Sequence, residues 1–484
     1  MYYPLQMPIS RENLSAVDRI FGDYFDLGKT PGLVYAVTYQ DQILHTKGIG
    51  VSSLGGNTPD SQTVFRVASI TKSFTAAAAL ILRDRNLLDL DKPITEYIPE
   101  FEGVTIPFPN SPKITLRMLL TMTAGFPTDD KWADRQESLT PGEFIKLIET
   151  GFRFDSVPGS NYEYSNLGYA LVTAVIANVS GKRFTEFVEA EILRPLKMTT
   201  TSFDFRRLEN LATGYVKRNG AWEAEPFSSQ GAFSGIGGLL TNTVDLAKWI
   251  WIMIQAFDSE SINQHNSISS ISRREMQQLQ RIMPPSQLRQ LDAPVISSAG
   301  YGFGLVVEED FDFGKIVGHS GGYPGFGSHM RWHIGSGIGL IALANGRYAS
   351  PAEACAHALR YLLEKWESAE YRRDPSEELY EMQQQVELLI QNWDNLVADR
   401  IFADNMDLDD PRSFRQLEIA TALREIGGLL STRTIADTIS DSLSHLSWKL
   451  SGHRGALKVE IRLTPNLPAR LQVLNVSAVD LIDS

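Results

Sequence analysis

A serine and a lysine three positions apart, Ser69 and Lys72, have a spacing that suits covalent catalysis. The run from Thr75 to Arg83 contains four consecutive alanines and then three large aliphatic residues, which predicts a buried helix. Ser69 would lie at the N-terminus of this helix, where unpaired N–H groups favour developing negative charge. Lys72 would lie one turn further on, within reach of the serine hydroxyl. A lysine whose pKa is lowered by burial is a base that could activate this serine.

On its own, the pair also has an ordinary structural explanation, in which Ser69 caps the helix and Lys72 is solvated in its first turn. Two other segments offer partners for catalysis. The triplet Tyr164-Ser-Asn166 supplies a phenol that could share a proton with the lysine and an amide that could orient lysine and substrate. The segment Gly-His-Ser-Gly-Gly at 318–322 would let a substrate lie against a strand edge and bond to backbone N–H groups.

Composition and charge restrict the class of protein. The 484 residues are 43% hydrophobic and 21% charged, as in soluble globular proteins, and this length predicts two domains or one large domain with an appendage. The net charge of −13 argues against nucleic acid or an anionic membrane as a partner. Cys355 is the one cysteine, which rules out an intramolecular disulfide and a cysteine-based metal site. Because we see neither a secretory signal nor an apolar run that spans a bilayer, we expect a cytoplasmic protein.

The order of predicted elements indicates a sheet assembled from both ends of a large domain. An amphipathic helix at 11–27 and strands at 33–39 and 43–46 come first. A mainly helical region with many turn signals follows, and strand character returns at residue 302. A charged, proline-containing stretch at 367–384 predicts a linker.

We therefore predict two domains of unequal size. Residues 1–370 would form a mixed α/β domain, with a sheet from about 12–65 and 300–366 and a helical subdomain at about 70–300. Residues 380–484 would form a small α+β domain of unknown role. It could cap the cleft, mediate dimerisation or stabilise the protein, and the sequence leaves these roles, and with them a homo-oligomer, open.

Together these segments resemble the serine β-lactamase and penicillin-recognising family, and most closely its class C-like branch, which also contains esterases, D-aminopeptidases and carboxypeptidases. Residues 114–126 are similar to the family's I-T-x-R-x-L-L-x-H-T-S-G-L, 195–199 to P-L-G-M-x, and 237–246 to G-G-L-x-S-T-x-x-D-L. The similarity covers about residues 12–366. It implies a fold of the β-lactamase/transpeptidase type: an antiparallel sheet flanked by helices, with an inserted helical subdomain and Ser69 at their junction.

The resemblance also implies a role for each candidate residue. Ser69 would be the acylated nucleophile and Lys72 its activating base. Tyr164 would be the proton shuttle that assists acylation and activates water for deacylation. Asn166 would hold Lys72 and the substrate amide. No metal or organic cofactor is implied.

The third segment carries both an implied oxyanion hole and a departure from the family pattern. The hole would consist of the backbone N–H groups of Ser69 and Gly322, with Gly321 beside it. β-Lactamases of the family usually have a lysine where this chain has His319, and a histidine is mostly neutral near pH 7. In the family, His-x-Gly is associated more with esterases and D-amino-acid-releasing peptidases. Met122 replaces a common histidine, and we attach no role to it.

These expectations describe a serine hydrolase that acts through an acyl-enzyme. Its substrates would be small carboxylic esters or short peptides and amides, including D-residues. A β-lactamase or penicillin-binding D,D-carboxypeptidase is the first alternative, and a covalent sensor with slow turnover is the second.

Two competing interpretations of the sequence concern residues near the third segment. Residues 318–322 also satisfy G-x-S-x-G, the nucleophile elbow of α/β-hydrolases, in which Ser320 would be the nucleophile; the glycines and the proline that follow disfavour the helix that this motif requires. His329 and His333 would share one face of a strand and suggest a metal pair, but no third ligand has a suitable spacing. Two ordinary strand histidines explain this pair better.

Overall fold

The computed structural model describes residues 9–258, 268–284, 296–366, 375–430 and 435–480. The chain divides into two compact units, Met1–Trp366 and Glu367–Ser484. Residues 367–374 of the predicted linker lie outside the described residues. The remainder of that stretch is helical from Glu377 onward, so the linker prediction extended too far.

Strands from both ends of the first unit form its main sheet. The strands of this unit are β1 Gly32–Tyr39, β2 Gln42–Gly50, β3 Phe65–Arg66, β4 Gly214–Arg218, β5 Ala221–Glu225, β6 Leu240–Thr241, β7 Arg281–Ile282, β8 Ile296–Tyr301, β9 Val306–Asp310, β10 Gly314–Tyr323, β11 Phe326–His333 and β12 Ile338–Ala344. Among the described residues, eight of them form one antiparallel sheet in the order β2-β1-β12-β11-β10-β9-β8-β7. The β1–β12 pairing, with Leu33 opposite Ala344, joins the two ends of the unit as the sequence predicts.

Helices cover both faces of this sheet. The α-helices of the first unit are α1 Arg11–Asp26, α2 Thr71–Asp84, α3 Leu116–Leu120, α4 Asp130–Ala133, α5 Pro141–Glu149, α6 Asn166–Ser180, α7 Phe184–Val188, α8 Ser234–Gly237, α9 Thr243–Ile254, α10 Ser270–Met276 and α11 Ala352–Lys365. Helices α1 and α11 pack on each other, and α11 packs on β11 and β12; α9 packs on β1, β11 and β12. This layered arrangement confirms the predicted fold class, an antiparallel sheet flanked by helices.

Apolar patterning explains the elements that the sequence predicts best. In α1, the side chain of Ser10 caps the helix by accepting from the Asn13 N–H at 3.2 Å. The apolar stripe of α1 is buried, and Phe21 stacks on Tyr35 of β1 with ring centroids 4.0 Å apart. Strand β12 is buried along its whole length, as expected for a strand covered on both faces.

The predicted helical region contains more strand than the sequence indicates. The main sheet begins before residue 300, because β7 and β8 add two strands at its edge. The hairpin β4–β5 lies within this region. In the short pair β3–β6, β6 belongs to the region and β3 precedes it. Since β3, β6 and β7 are only two residues long, they carry no alternation that a pattern could detect.

Helix α2 is the buried helix that the alanine run predicts. Its residues from Thr71 to Leu82 are all buried, and it packs against α6 and α8. The ring of Phe74 stacks on Trp249 of α9 with centroids 4.0 Å apart, and the Trp249 indole N–H donates to Ser73 Oγ at 3.1 Å. These contacts hold the helix that carries Lys72.

The second unit has its own sheet and core. Its elements are α12 Glu377–Gln391, α13 Asn395–Ile401, α14 Asp404–Asp409, α15 Arg412–Glu425, β13 Ile435–Ser442, β14 His445–Ser451, β15 Ala456–Leu463 and β16 Leu471–Val479. The described strands form an antiparallel sheet in the order β13-β14-β15-β16. Trp448 of β14 and Leu457 of β15 are buried in one cluster with Val386 of α12. The predicted α+β character of this part of the chain is therefore confirmed.

Candidate active site

Ser69 lies in a 3-10 turn, Ala68–Ile70, directly before α2. Ala68 has a positive φ of 50°, a conformation that residues other than glycine rarely adopt. The turn is held from both sides: the Val67 N–H donates to the carbonyl of Leu239 at 3.0 Å, and Ser328 Oγ donates to the carbonyl of Val67 at 2.7 Å. The backbone is thus fixed in an uncommon conformation where a nucleophile must be presented.

Lys72 is fully buried and reaches back to the serine. Its Nζ lies 3.0 Å from Ser69 Oγ and donates to the carbonyl of Ile236, in α8, at 2.8 Å. Burial lowers the pKa of Lys72 to about 8, although the carboxylates of Asp130, Asp134 and Asp129 oppose this by favouring the charged form. A lysine with this pKa is partly neutral near pH 7 to 8 and can accept a proton from Ser69.

Tyr164 completes a group of three side chains. Its ring centroid lies 5.1 Å from Lys72 Nζ. Burial raises the pKa of Tyr164 well above its ordinary value and Asp130 raises it further, while a hydrogen bond with Ser69 lowers it. The phenol is therefore neutral at rest and can pass a proton on rather than hold a negative charge.

Asn166 occupies a different environment from the one expected. It is the first residue of α6, is 1% exposed, and its Nδ2 donates to Asp129 at 3.2 Å and to Asp130 at 2.8 Å. None of its hydrogen bonds within the described residues reaches Lys72, and its buried Oδ1 has no partner there. The predicted contact that would hold Lys72 is thus not formed in this structure.

Asp129 fixes the start of α6. Its carboxylate accepts from the backbone N–H groups of Asn166 at 2.7 Å and Leu167 at 2.8 Å, and Ser165 Oγ caps the same helix by accepting from the Gly168 N–H. Unpaired N–H groups at a helix N-terminus favour a carboxylate in this place. Because Tyr164 is two residues before the helix, this cap also anchors the tyrosine backbone.

One edge of β10 is open beside the nucleophile. Strand β9 pairs with β10 only as far as Gly318, whereas β11 continues along it to Tyr323. A Cβ added to Gly321 would come within 2.3 Å of the Val67 carbonyl oxygen and 3.0 Å of Ala68 Cβ. Only glycine allows this close approach of strand and turn, which leaves Gly321 and Gly322 next to the segment that carries Ser69.

His319 is a buried neutral histidine. It is 4% exposed, its Nε2 lies 2.9 Å from Tyr301 Oη, and its Nδ1 lies 2.6 Å from the carbonyl oxygen of Ser320. Burial lowers the pKa of His319 to about 3, and the charge of Lys72 contributes to this shift. Its ring lies 6.4 Å from that of Tyr164. The residue lines the site without supplying a cation.

Ser320 is not a nucleophile elbow. It lies within β10 and no helix follows it, so the α/β-hydrolase interpretation does not fit the structure. Its Oγ lies 2.8 Å from Nδ1 of His329. His333, the other member of the suggested metal pair, has its Nε2 2.7 Å from the carbonyl oxygen of Phe313 and its Nδ1 3.1 Å from Ser336 Oγ. Each histidine has protein partners of its own.

The described part of the chain contains neither a candidate metal site nor a candidate membrane-spanning helix. No group of three or more histidine, cysteine, aspartate or glutamate side chains there is arranged to hold a metal ion. No helix among those residues has the length and apolar character needed to cross a membrane.

Sequence reasoning missed three carboxylates near the nucleophile: Asp129, Asp130 and Asp134. All three act on the pKa of Lys72, and burial raises the pKa of Asp134 to about 7. The available signal was three aspartates within six residues, directly after the segment 114–126. Such a cluster is usually a solvated loop, and only the fold brings it to Lys72.

Chemically, the arrangement can perform nucleophilic substitution at a carbonyl. It combines a serine hydroxyl, a buried amine 3.0 Å away, a neutral phenol beside both, and a strand edge with backbone donors.

Comparisons with known proteins agree with this geometry. The chain is 25% identical over 351 residues to "Protein flp" of Staphylococcus aureus strain N315, a match that covers 70% of this chain and 64% of that protein. It is 26% identical to penicillin-binding protein 4* of Bacillus subtilis strain 168, over 63% of this chain and 65% of the relative. It is 29% identical to the D-alanyl-D-alanine-carboxypeptidase/endopeptidase AmpH of Escherichia coli K12, over 48% of this chain and 60% of the relative. The chain thus spans less than two thirds of the length of these curated relatives.

The fold has a solved counterpart. The octameric penicillin-binding protein homologue from Pyrococcus abyssi superposes with a TM-score of 0.63 at 20% sequence identity, over 96% of this chain and 99% of that one. The sequence model of the family described as Beta-lactamase matches residues 17–364, most of the chain and all of the candidate site. This protein therefore belongs to the beta-lactamase family.

Proposed function

We propose that this protein is a serine hydrolase that cleaves small carboxylic esters or short peptides and amides through an acyl-enzyme. The observation that carries the proposal is the position of Lys72, whose buried Nζ lies 3.0 Å from Ser69 Oγ. Burial lowers the pKa of Lys72 to about 8, so a part of it is neutral near pH 7 to 8 and can serve as a base. The family match and the relatives with peptidase names support the same chemistry.

In the acylation step, Ser69 Oγ attacks the substrate carbonyl carbon and its proton passes to Lys72 Nζ. The carbonyl oxygen becomes negatively charged, and we assign its stabilisation to the backbone N–H groups of Ser69 and Gly322. As the C–O or C–N bond breaks, the proton moves through Tyr164 to the leaving alcohol or amine. The product of this step is an ester between Ser69 and the acyl group.

Deacylation repeats these steps with water. Tyr164 and Lys72 remove a proton from a water molecule, which attacks the ester carbon and forms a second oxyanion in the same place. The bond to Ser69 Oγ breaks, the serine regains a proton, and the carboxylic acid leaves. Base catalysis of this kind contributes roughly 10²- to 10⁴-fold in rate.

We propose esters and amides rather than β-lactams as substrates because of the residue at position 319, His319. A lysine at this position would give a permanent cation for the β-lactam carboxylate, whereas the pKa of the buried His319 is lowered to about 3. β-Lactamase or D,D-carboxypeptidase activity is the second candidate, because relatives carry the names penicillin-binding protein and D-alanyl-D-alanine-carboxypeptidase. We also propose that the protein forms a homo-oligomer, because the Pyrococcus abyssi homologue is described as octameric. Light scattering would measure the mass of the particle in solution.

Turnover of three reporter substrates by the pure protein tests the proposal: p-nitrophenyl butyrate, D-alanine p-nitroanilide and nitrocefin. We expect steady release from the ester or the anilide and little reaction with nitrocefin. Faster turnover of nitrocefin than of the other two would favour the β-lactamase alternative. A stable acyl adduct in the intact mass without turnover would identify a covalent sensor, and no reaction with any probe would contradict the proposal.

A further inference from the structure

A cavity of about 190 Å³ lies next to the segments that carry Arg66 and Tyr323. Phe227, Tyr323 and Phe326 provide its aromatic walls, and Arg66, Asp134 and Ser228 are among its polar lining residues. Apolar cavities of roughly 150 Å³ bind molecules the size of benzene. This cavity is therefore large enough for a small acyl group.

The lining residues of the cavity come from the segments that flank the candidate site. Arg66 is three residues before Ser69, and Tyr323 directly follows Gly322 on β10. A Cβ added to Gly237 would lie 3.0 Å from the Tyr323 ring and 3.5 Å from the backbone carbon of Ala68. Asp134, which lines the cavity, also lies near enough to Lys72 for the lysine charge to lower its pKa, and Lys72 Nζ is 3.0 Å from Ser69 Oγ.

Both arginines at the cavity already have carboxylate partners. The buried guanidinium of Arg66 pairs with Glu137, which also accepts from Tyr323 Oη at 2.8 Å. Arg135 pairs with Glu225 at 3.3 Å. Since these charges cancel in pairs, the arginines do not make the cavity a site for an anion.

Asp134 is the lining carboxylate without a cation. It is 6% exposed, and Tyr348 Oη donates to its Oδ2 at 2.9 Å. Among the described residues, no lysine, arginine or histidine nitrogen lies within 4 Å of its carboxylate. Burial raises the pKa of Asp134 to about 7, although the hydrogen bond from Tyr348 and the charge of Lys72 both lower it.

We infer that Asp134 and the cavity form a subsite for a protonated amine on the acyl group of the substrate. The buried carboxylate would bind the ammonium, and the aromatic walls would contact the carbon atoms beside it. The substrate class would then be amides or esters of amino acids with a free amino group. This inference rests on the proposed function and narrows its substrate.

Three matched p-nitroanilides, assayed at pH 7 where an α-amino group is mainly protonated, test the inference: those of D-alanine, of isobutyric acid and of methylmalonic acid. They place an ammonium, a methyl group and a carboxylate at the same position. We expect the highest kcat/KM for the ammonium substrate, by roughly tenfold to a hundredfold over the methyl one, as for a hydrogen bond between charged groups. Equal values, or a preference for the carboxylate, would overturn the inference while leaving the hydrolase proposal intact.

The variant Asp134→Asn connects the preference to this side chain. It keeps an oxygen for Tyr348 and removes the charge, so the ratio of kcat/KM for the ammonium substrate to that for the methyl substrate should fall to near one. Asp23→Asn, which removes an exposed charge from α1, is the matched control and should leave the ratio unchanged. An unchanged ratio in Asp134→Asn would assign the preference elsewhere and overturn the inference.

A binding measurement separates the inference from turnover. 1-Aminoethylboronic acid and isopropylboronic acid both form a reversible bond to a nucleophilic serine and differ only in ammonium against methyl. We expect the amine to bind at least tenfold more tightly to the full-length protein and to lose this advantage in Asp134→Asn. Equal or weaker binding of the amine would overturn the inference even if no anilide is hydrolysed.

Discussion

Burial lowers the pKa of Lys72 and His319, two basic side chains beside Tyr164, but to different extents. Lys72 and His319 are both almost inaccessible to solvent. Three aspartates oppose the effect of burial on Lys72 and leave its pKa at about 8, whereas the pKa of His319 falls to about 3. One residue can therefore exchange a proton near neutral pH, and the other stays neutral throughout that range.

The pH dependence of acylation should follow Lys72. Because the base must be neutral, kcat/KM should rise with pH through an apparent pKa of about 8. Asp130→Asn removes a carboxylate that stabilises the charged lysine but keeps an oxygen for Asn166, so the apparent pKa should fall below that of the wild type. Asp41→Asn, in the β1–β2 turn, is the control. A profile that moves upward or stays in place in Asp130→Asn would contradict this account of the site.

His319 should control the choice between β-lactams and esters. His319→Lys adds a cation beside the open strand edge, and we expect the ratio of kcat/KM for nitrocefin to that for p-nitrophenyl butyrate to rise by roughly tenfold. His319→Gln, which stays neutral, should leave the ratio near its original value. If the lysine and glutamine variants have the same ratio, charge at this position does not set the preference.

At the scale of elements, the N-terminus of α6 and the open edge of β10 bring the catalytic groups together. Asp129 binds two N–H groups of α6 immediately after Tyr164, and Gly321 allows β10 to approach the turn that carries Ser69. Neither feature takes part in proton transfer itself. Both act by fixing where Ser69 and Tyr164 lie.

Loss of the α6 cap should reduce stability and activity together. Asp129→Ala leaves the N–H groups of Asn166 and Leu167 without their acceptor, which costs about 1 kcal/mol and lowers Tm by roughly 2 °C. Turnover of p-nitrophenyl butyrate should fall with it, because Tyr164 loses its anchor. Asp129→Asn retains one acceptor oxygen and should be less affected in both measurements. Equal Tm values for the wild type and Asp129→Ala would show that the cap contributes nothing.

The sequence predicts elements whose patterning is local and misses those that depend on distant contacts. Helix α2 and strand β1 have strong apolar runs, and the Ser69–Lys72 pair is brought together by a single helical turn. The glycine-rich end of β10 has no strand pattern, yet β11 holds it in the sheet. Asp130 is 58 residues from Lys72 in sequence, so no local pattern connects their charges. The predicted contact between Asn166 and Lys72 is absent for the same reason. The partners of the Asn166 amide are Asp129 and Asp130, which are distant from it in sequence.

At the scale of the whole molecule, each unit buries its own apolar core. The candidate site lies entirely within the first unit, whose last residue, Trp366, is buried with its ring 5.4 Å from that of Tyr39. The core of the second unit is formed by its own helices and sheet. This organisation predicts that the first unit folds and reacts by itself.

A chain that ends at Trp366 should keep the kcat/KM of the full-length protein for p-nitrophenyl butyrate within about threefold. A chain that ends at Ser350 lacks α11, whose buried face packs on β11 and β12, and should not fold. Circular dichroism and the ester assay would compare the three chains. A folded but inactive chain of residues 1–366 would mean that the second unit contributes to catalysis.

The most direct test of the central claim is the site of covalent labelling. The protein, Ser69→Ala and Ser320→Ala would each be treated with a fluorophosphonate, and the adduct would be located by intact mass and peptide mass spectrometry. We predict one adduct on Ser69 in the wild type and in Ser320→Ala, and none in Ser69→Ala. Labelling that survives in Ser69→Ala, or that maps to Ser320, would contradict the assignment of Ser69 as the nucleophile.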